Sequence, residues 1–305
     1  MKTVYVLLST YNGEQFLRQQ IDSILNQTGV IVQLFIRDDG SQDNTVEILK
    51  SYEDLTNVNI LFAHNIGWKR SFFALLSMVE NNKGSFYAFA DQDDVWKPEK
   101  LIRGIEKIAD THEPSVYHSN VEEVDEILHH IRTCLPENAV PSSKLPKGYF
   151  DSMTFGCTMI FNNQMLELAQ AHIPEQATQH DAYIYALGIL VGNIFYDSHS
   201  YILYRRHSHA TTGFSKQTKS GEPTLLMRYR KYKKGPKNNF SIRAQELLKG
   251  YSNILDKNQI NFLKRIAFYR HNFIYKGYLL FSPLSVATGL RRTLQIKFRV
   301  INNTL

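Results

Sequence analysis

Apolar and polar positions change period along the first hundred residues in a way that predicts alternating strands and helices. T-V-Y-V-L-L-S (3–9) alternates into an apolar run and reads as a strand, and Asn12-Gly13 marks a turn. Leu17, Ile21, Ile24 and Leu25 then recur at i, i+4, i+7 and i+8, one face of a helix. V-I-V-Q-L-F-I-R-D-D predicts a second strand ending in acids. Asp43 suits the cap of a helix over 44–52, 58–62 a third strand, 71–81 a helix and 85–90 a fourth strand. Such a series predicts an α/β fold, a mostly parallel, Rossmann-like sheet with helices on both faces. Ligands of such sheets gather beyond the carboxyl ends of the strands. S-T-Y-N-G (9–13), D-D-G-S-Q-D (38–43) and D-Q-D-D (91–94) all fall there.

Farther along, 99–109 reads as a helix, and 112–150, with four prolines, as an irregular, mobile loop outside the core. T-F-G-C-T-M-I-F is strand-like, 163–172 and H-D-A-Y-I-Y-A-L-G-I-L helical, and I-F-Y-D and Y-I-L-Y-R-R-H read as two further strands. R-Y-R-K-Y-K-K-G-P-K (228–237) reads as a linker or surface arm, followed by a helix on which Leu263, Ile266, Ala267 and Phe273 share a face. The 305 residues suit one large domain, or a body over 1–220 with a helical region over 221–305.

Charge sharpens this division. Residues 1–224 carry 18 Lys and Arg against 27 Asp and Glu, a net −9, whereas 225–305 carry 17 against 2, a net +15. A basic tail on an acidic body implies a polyanionic partner such as an anionic membrane face or a nucleic acid. Cys134 and Cys157 lack metal-site spacing and read as ordinary thiols of a reducing compartment. The opening M-K-T-V-Y-V-L-L suits a buried strand better than a signal peptide, and no apolar run approaches the ~18–20 residues of a membrane span.

The carboxylates carry the chemistry. Asp91, Asp93 and Asp94 follow a buried-looking strand, where like charges repel and resist leaving water unless a cation meets them. Hard oxygen donors at i and i+2 suit Mg²⁺ or Mn²⁺ bridging phosphate oxygens, although a lone D-x-D is also an ordinary acidic turn. Asp39 can accept a hydrogen bond from a uracil or thymine imide, or merely sit in a turn. S-T-Y-N-G offers a helix N-terminus to an anion or base. Asp181 of H-D-A-Y-I can serve as a general base or as an N-cap, and Y-R-R-H-S-H (204–209) as metal and diphosphate ligands or as a surface patch. No G-x-x-x-x-G-K-S/T loop is present, which argues against ordinary NTP hydrolysis.

In order, V-L-L-S-T-Y-N-G, I-R-D-D-G-S-Q-D, N-I-G (65–67), F-A-D-Q-D-D-V-W, G-C-T-M-I-F (156–161), H-D and Y-R-R-H resemble the inverting family-2 glycosyltransferases, from residue 3 to about 214. The wording of the first, second and fourth is most similar to that of bacterial rhamnosyltransferases of cell-wall or capsular polysaccharide. The resemblance implies a GT-A fold for 1–220, with a basic, aromatic-rich helical extension over 221–305. It implies that Thr10, Tyr11, Asn12 and Glu14 line the nucleotide pocket, that Asp39 reads the base, and that Asn65 and Arg70 approach the nucleotide or diphosphate. It further implies that Asp91 faces ribose and metal, that Asp93 and His207 hold Mn²⁺ or Mg²⁺, that Asp181 is the base, and that Gly156 and Cys157 face the acceptor. The Lys69-Arg70 pair and Arg206, where relatives often carry Gln, depart from the pattern.

The expected donor is a nucleotide-diphosphate sugar, dTDP-rhamnose before UDP-glucose, UDP-galactose or UDP-GlcNAc, and the expected acceptor a lipid-linked saccharide. The enzyme would then be cytoplasmic and peripheral on the inner membrane face, touching anionic lipid through 225–305 at ~1 kcal/mol per nearby cation. A helical appendage packed on the body, or a contact between two copies, is the plainer use of that region. Rival readings are a D-x-D phosphatase, a nucleotidyltransferase, a catalytically dead relative and a nucleic-acid binder. The first lacks its motif on the first strand. The last lacks a helix-turn-helix or RNP pattern, so no nucleic-acid partner is expected.

Overall fold

A computed structural model describes residues 1–152, 154–207, 237–282, 287 and 289–305. The N-terminal alternation forms β1 (Lys2–Thr10), α1 (Leu17–Leu25), β2 (Val30–Asp38), α2 (Thr45–Lys50), β3 (Val58–Phe62), α3 (Trp68–Met78) and β4 (Phe86–Ala90). The four strands are parallel in the spatial order β3-β2-β1-β4, with Thr10 opposite Asp38 and Leu8 opposite Ala90. The three polar clusters therefore open along one edge of the sheet.

Side chains of β1 and β4 alternate between faces, as a period of two requires. Leu7, Tyr87 and Phe89 join Phe72, Leu75 and Leu76 of α3 in one core. Val4, Val6, Leu8, Ala88 and Ala90 join Leu17, Ile21 and Ile24 of α1 in the other. Burial on both faces accounts for the near-continuous apolar wording of these strands.

The remainder comprises β5 (Val95–Trp96), α4 (Lys100–Ile108), β6 (Ser115–Val124), β7 (His130–Thr133), α5 (Lys147–Phe150), β8 (Ile160–Asn162), α6 (Asn163–Ala171), α7 (His180–Val191) and β9 (Asn193–Arg205). The sheet continues as β4-β8-β6-β9-β5, with β7 beside β6. Here β8 is antiparallel to both of its neighbours, and β9 is parallel to β6.

Several sequence expectations are corrected. The stretch 112–150 holds a central strand, β6, of which only Glu122 is not buried. Its polar residues hid it, and they are satisfied internally: Asn120 donates to the Leu135 carbonyl (2.8 Å) and accepts from the Val121 and Leu135 N–H groups. The two strands expected over I-F-Y-D and Y-I-L-Y-R-R-H are one, β9. T-F-G-C-T-M-I-F opens in a short 3₁₀ turn at Gly156–Thr158 before β8, and α3 starts at Trp68, three residues early. Most of the expected arm at 228–237 lies outside the described residues.

The last helices are α8 (Asn239–Tyr251), α9 (Lys257–Phe268), α10 (Phe273–Phe281) and α11 (Leu290–Ile301). Leu247, Tyr251, Leu263 and Ile266 belong to the same core as Leu7 and Phe72, each buried aliphatic side chain contributing roughly 1.5–3 kcal/mol. The Tyr251 hydroxyl donates to the Leu168 carbonyl (2.7 Å), and buried Glu246 accepts from the Glu175 N–H (3.1 Å). Leu263, Ile266 and Ala267 are buried on α9 as their spacing predicts, but Phe273 is not: a 3₁₀ turn at Tyr269–His271 ends the helix first, and Phe273 starts α10 at 93% exposure. No helix among the described residues is long and apolar enough to cross a membrane.

Candidate active site

The first wall of the site is a pair of interlocked loops at the ends of β1 and β2. Thr10, 1% exposed, donates from Oγ1 to Gln92 Oε1 (2.7 Å), which also accepts the Tyr11 N–H (2.8 Å). Asn12, at a φ of 49°, accepts the Gln42 N–H on Oδ1 (2.8 Å), and Glu14 accepts the Asn44 N–H (2.9 Å). Asp43 accepts the N–H groups of Glu14 (3.1 Å) and Thr45 (3.0 Å) and so ties the loops together, while the N-cap of α2 is Asn44, one residue beyond the expected Asp43. Asn12 and Glu14 thus spend side-chain oxygens on scaffolding, while Tyr11 is exposed at the rim.

Asp39 is 2% exposed and holds the next loop from beneath. It pairs with Arg37 and accepts the N–H groups of Ile66 (2.9 Å) and Gly67 (2.8 Å), filling three of its roughly four acceptor positions. Arg37 donates in turn to the His64 carbonyl (3.0 Å). Asn65 and Arg70 are exposed on and just after the loop that Asp39 clamps, and Lys69 lies half-buried with its Nζ 5.7 Å from the Trp68 ring centroid.

Beyond β4 the acids converge. Burial first, then the charges of Asp93 and Asp181, push Asp91 up to about 7. Burial also raises Asp181, against the pull of the Ala182 N–H (2.7 Å) and the Gly156 backbone. D-Q-D-D, G-C-T and H-D, far apart in sequence, therefore meet in one site. Gly156 approaches the first turn of α7 so closely that a Cβ there would lie 2.7 Å from His180 Nε2 and 3.3 Å from Asp181 Cβ. His180, which follows no helix-cap logic, stacks on Phe72 at 3.8 Å and fixes the start of α7.

Asp93 and His207 also meet: Oδ2 and Nε2 lie 2.7 Å apart, with the Asp93 side chain 19% exposed. Phe16 packs on His207 at 4.9 Å. Arg205 braces Asp93 by donating to its carbonyl (2.8 Å); it also donates to Gln19 Oε1 (2.6 Å), and its N–H donates to Asp94 (3.1 Å).

A second set of donors, one atom each from Asp91, Asp94 and Cys157, lies within 4.8 Å of one another. It suits a divalent ion less well. Asp94 and Cys157 are buried, and burial followed by neighbouring carboxylates raises both well above their usual ranges. A thiol is also a soft donor, whereas Mg²⁺ takes oxygen and Mn²⁺ takes oxygen with an occasional imidazole. The Asp93–His207 pair, open on one side, is the set whose chemistry fits. Cys157 lies under the floor of the site, 1% exposed, a correction to the expectation that it faces the acceptor.

Three members of the site were not expected from the sequence: Arg37, Gln92 and Lys100. Lys100 is 1% exposed, its Nζ 3.4 Å over the Trp96 ring, and burial lowers it to about 7 against the pull of Cys157 and Asp94. A signal existed, since Lys100 shares the buried face of α4 with Leu101, Gly104, Ile105 and Ile108. Arg37 was likewise the one cation in an apolar strand.

Comparison with known proteins agrees with this geometry. The chain is 26% identical to the dTDP-rhamnosyl transferase RfbG of Shigella flexneri over 241 residues, 74% of this chain and 81% of that one. It is 27% identical to an uncharacterized glycosyltransferase of Rickettsia prowazekii, matching 68% of this chain but only 65% of the relative's length. Among solved structures, S. aureus TarS in complex with UDP-GlcNAc superposes with a TM-score of 0.57 at 18% identity, covering 100% of this chain and 82% of that one. The mannosyltransferase PcManGT of Pyrobaculum calidifontis, in complex with GDP-Man and Mn²⁺, gives 0.50 at 14%, covering 98% and 84%. These likenesses support the GT-A fold. The family model for glycosyl transferase family 2 matches residues 5–167, more than half of the sequence, and the chain belongs to that family, whose members act on nucleotide sugars.

Proposed function

We propose that the protein transfers a sugar, L-rhamnose from dTDP-rhamnose in the first instance, to a hydroxyl of a growing, lipid-linked bacterial surface polysaccharide, with inversion at the anomeric carbon. The observation that carries the reading is the convergence of Asp91, Asp93 and Asp181 at the carboxyl edge of the sheet. The rhamnosyl donor is supported by the likeness to RfbG. UDP-GlcNAc is the second reading, supported by the complex of TarS.

Thr10 and Tyr11 line the nucleotide side, and Asp39 acts by holding the loop that carries Asn65 and, beyond it, Arg70 towards the diphosphate. Asp93 and His207 are the residues that would hold Mn²⁺ or Mg²⁺, which when bound offsets the charge of the departing diphosphate. Asp91 faces the ribose. Asp181 takes the proton of the acceptor hydroxyl as that oxygen attacks from the face opposite the leaving group, a role worth ~10²–10⁴ in rate. Gly156 leaves room for the acceptor beside Asp181. Residues 1–220 form the catalytic body. The protein works peripherally on the inner face of the plasma membrane, where such an acceptor is carried.

A thermal-shift panel of dTDP-rhamnose, UDP-glucose, UDP-galactose and UDP-GlcNAc, with and without Mn²⁺, tests the donor. Absence of any sugar-nucleotide shift would defeat the reading. Asp181→Asn should bind the donor with near wild-type affinity in calorimetry and lose transfer by about 10²-fold or more. Full turnover by that variant, or lost donor binding, would remove Asp181 from the role of base.

A further inference from the structure

Residues 257–305 hold nine Lys and Arg and no Asp or Glu. Within them α11 is apolar on two sides. Ile296 and Val300, with Thr293, are buried. Leu290, Leu294 and Ile301 are 77%, 57% and 59% exposed, and with half-exposed Phe298 they follow i, i+4, i+8 and i+11, a single line along the helix. Helix α10, packed against α11, repeats the arrangement: Leu279 is buried, while Phe273, Ile274 and Phe281 are 93%, 80% and 85% exposed. One exposed apolar residue needs no explanation, but two adjoining helices that each show a second apolar face mark a surface that meets something.

The surrounding charge selects the occupant. Lys264 and Arg270 are exposed at the end of α9 and in the turn after it, Lys276 lies on α10, and Lys297 on α11. A second copy docked face to face would set one basic helix pair, whose own residues include no Asp or Glu, against another, which like-charge repulsion opposes. A nucleic acid would use the cations and stack on phenylalanines, but it gives Ile274, Leu290, Leu294 and Ile301 nothing to enter. An anionic bilayer takes both kinds of side chain, acyl chains receiving the apolar ones and headgroups the cations.

We propose that α10 and α11 together form a bilayer-docking surface, with Phe273, Ile274, Phe281, Leu290, Leu294 and Ile301 entering the boundary between headgroups and acyl chains of an anionic phospholipid membrane. This deepens the functional reading above, on which it rests only for the need to reach a lipid-borne acceptor. It assigns the contact to two short helices and not to the whole stretch 225–305.

The test is flotation of the full chain with phosphatidylcholine vesicles, with and without phosphatidylglycerol, alongside a variant carrying Phe273→Ser, Phe281→Ser, Leu290→Ser and Leu294→Ser. Wild-type protein should float with the anionic vesicles only, and the variant should bind them at least tenfold more weakly. The melting temperature and the sugar-nucleotide shift of the variant should be unchanged, because all four side chains are exposed. Absence of wild-type flotation, or undiminished flotation of the variant, would overturn the proposal. So would light scattering showing a wild-type dimer that the four substitutions dissolve, or RNA binding without vesicle binding. Wild-type protein that shows the sugar-nucleotide shift but does not float would defeat the docking surface alone; wild-type protein that floats but shows no shift would defeat the transferase reading alone.

Discussion

Alanine at position 156 tests how Asp181, the proposed base, is held. Its Cβ would lie 2.7 Å from His180 Nε2, where ordinary contact begins near 3.4 Å, so the imidazole must retreat by about 0.7 Å. The ring is blocked behind by Phe72, stacked at 3.8 Å, and on its edge by Phe89 at 4.6 Å. The displacement therefore passes into the first turn of α7, which carries Asp181. Overpacking of this kind costs ~1–3 kcal/mol, a fall in Tm of roughly 2–4 °C per kcal/mol for chains of about 200 residues and somewhat less here. Misplacing a catalytic group by up to an ångström can cost about 10² in rate. Gly156→Ala should thus lower kcat by about 10- to 100-fold while the sugar-nucleotide thermal shift survives. The assay is steady-state kinetics with kcat and KM separated, beside a thermal melt. A kcat within twofold of wild type, in a protein whose Tm has fallen as expected, would refute the reasoning, because the clash would then be absorbed away from Asp181.

Asp93→Asn and His207→Ala should each abolish the Mn²⁺-dependent part of the donor thermal shift and lower turnover by about 10² or more; retention of that part by either variant would remove the residue from the ligand set. Acid stability offers an independent check on the core. Burial lowers His118 from its ordinary 6.5 to about 3, so below about pH 6.5 the unfolded chain takes up a proton that the folded chain refuses. Its contribution to stability is therefore lost as pH falls from about 6.5 towards 3, at ~1.4 kcal/mol per pH unit. His118→Phe, placed among Tyr185 and Tyr196, should lose about 2–3 kcal/mol less stability than wild type between pH 6 and 4 in urea titrations, and parallel curves would contradict it.

The sequence made the N-terminal half legible because each signal was local. The spacing of Leu17, Ile21 and Ile24 describes a face that is buried, and the strand ends at Thr10, Asp38 and Ala90 adjoin because parallel register aligns them. What stayed hidden depended on partners distant in the chain. β6 carries His118, Ser119 and Asn120 into the interior, and nothing near them in sequence announces that Leu135 will satisfy Asn120. Asp39 is expected to read a base; Arg37 and the 66–67 backbone, which take three of its roughly four acceptor positions, come from the adjoining strand β2 and from a loop 27 residues on. Cys157, expected to face the acceptor, and Lys100, which no motif singles out, are brought beneath the acids by the turn at Gly156 and the first turn of α4.

The shared core described for α8 and α9 bears on how the protein can be dissected. Gln259 donates to the Leu190 carbonyl (2.6 Å), Arg243 to the Tyr149 carbonyl (2.8 Å), and Phe262 packs edge-on against Tyr149 at 5.4 Å. Cutting the chain ahead of these helices would strip tyrosines and leucines bare and leave a sticky stump, not a minimal enzyme. A failed deletion mutant would then speak of lost solubility and say nothing about catalysis or lipid. Questions about either must be put to the intact polypeptide, one side chain at a time.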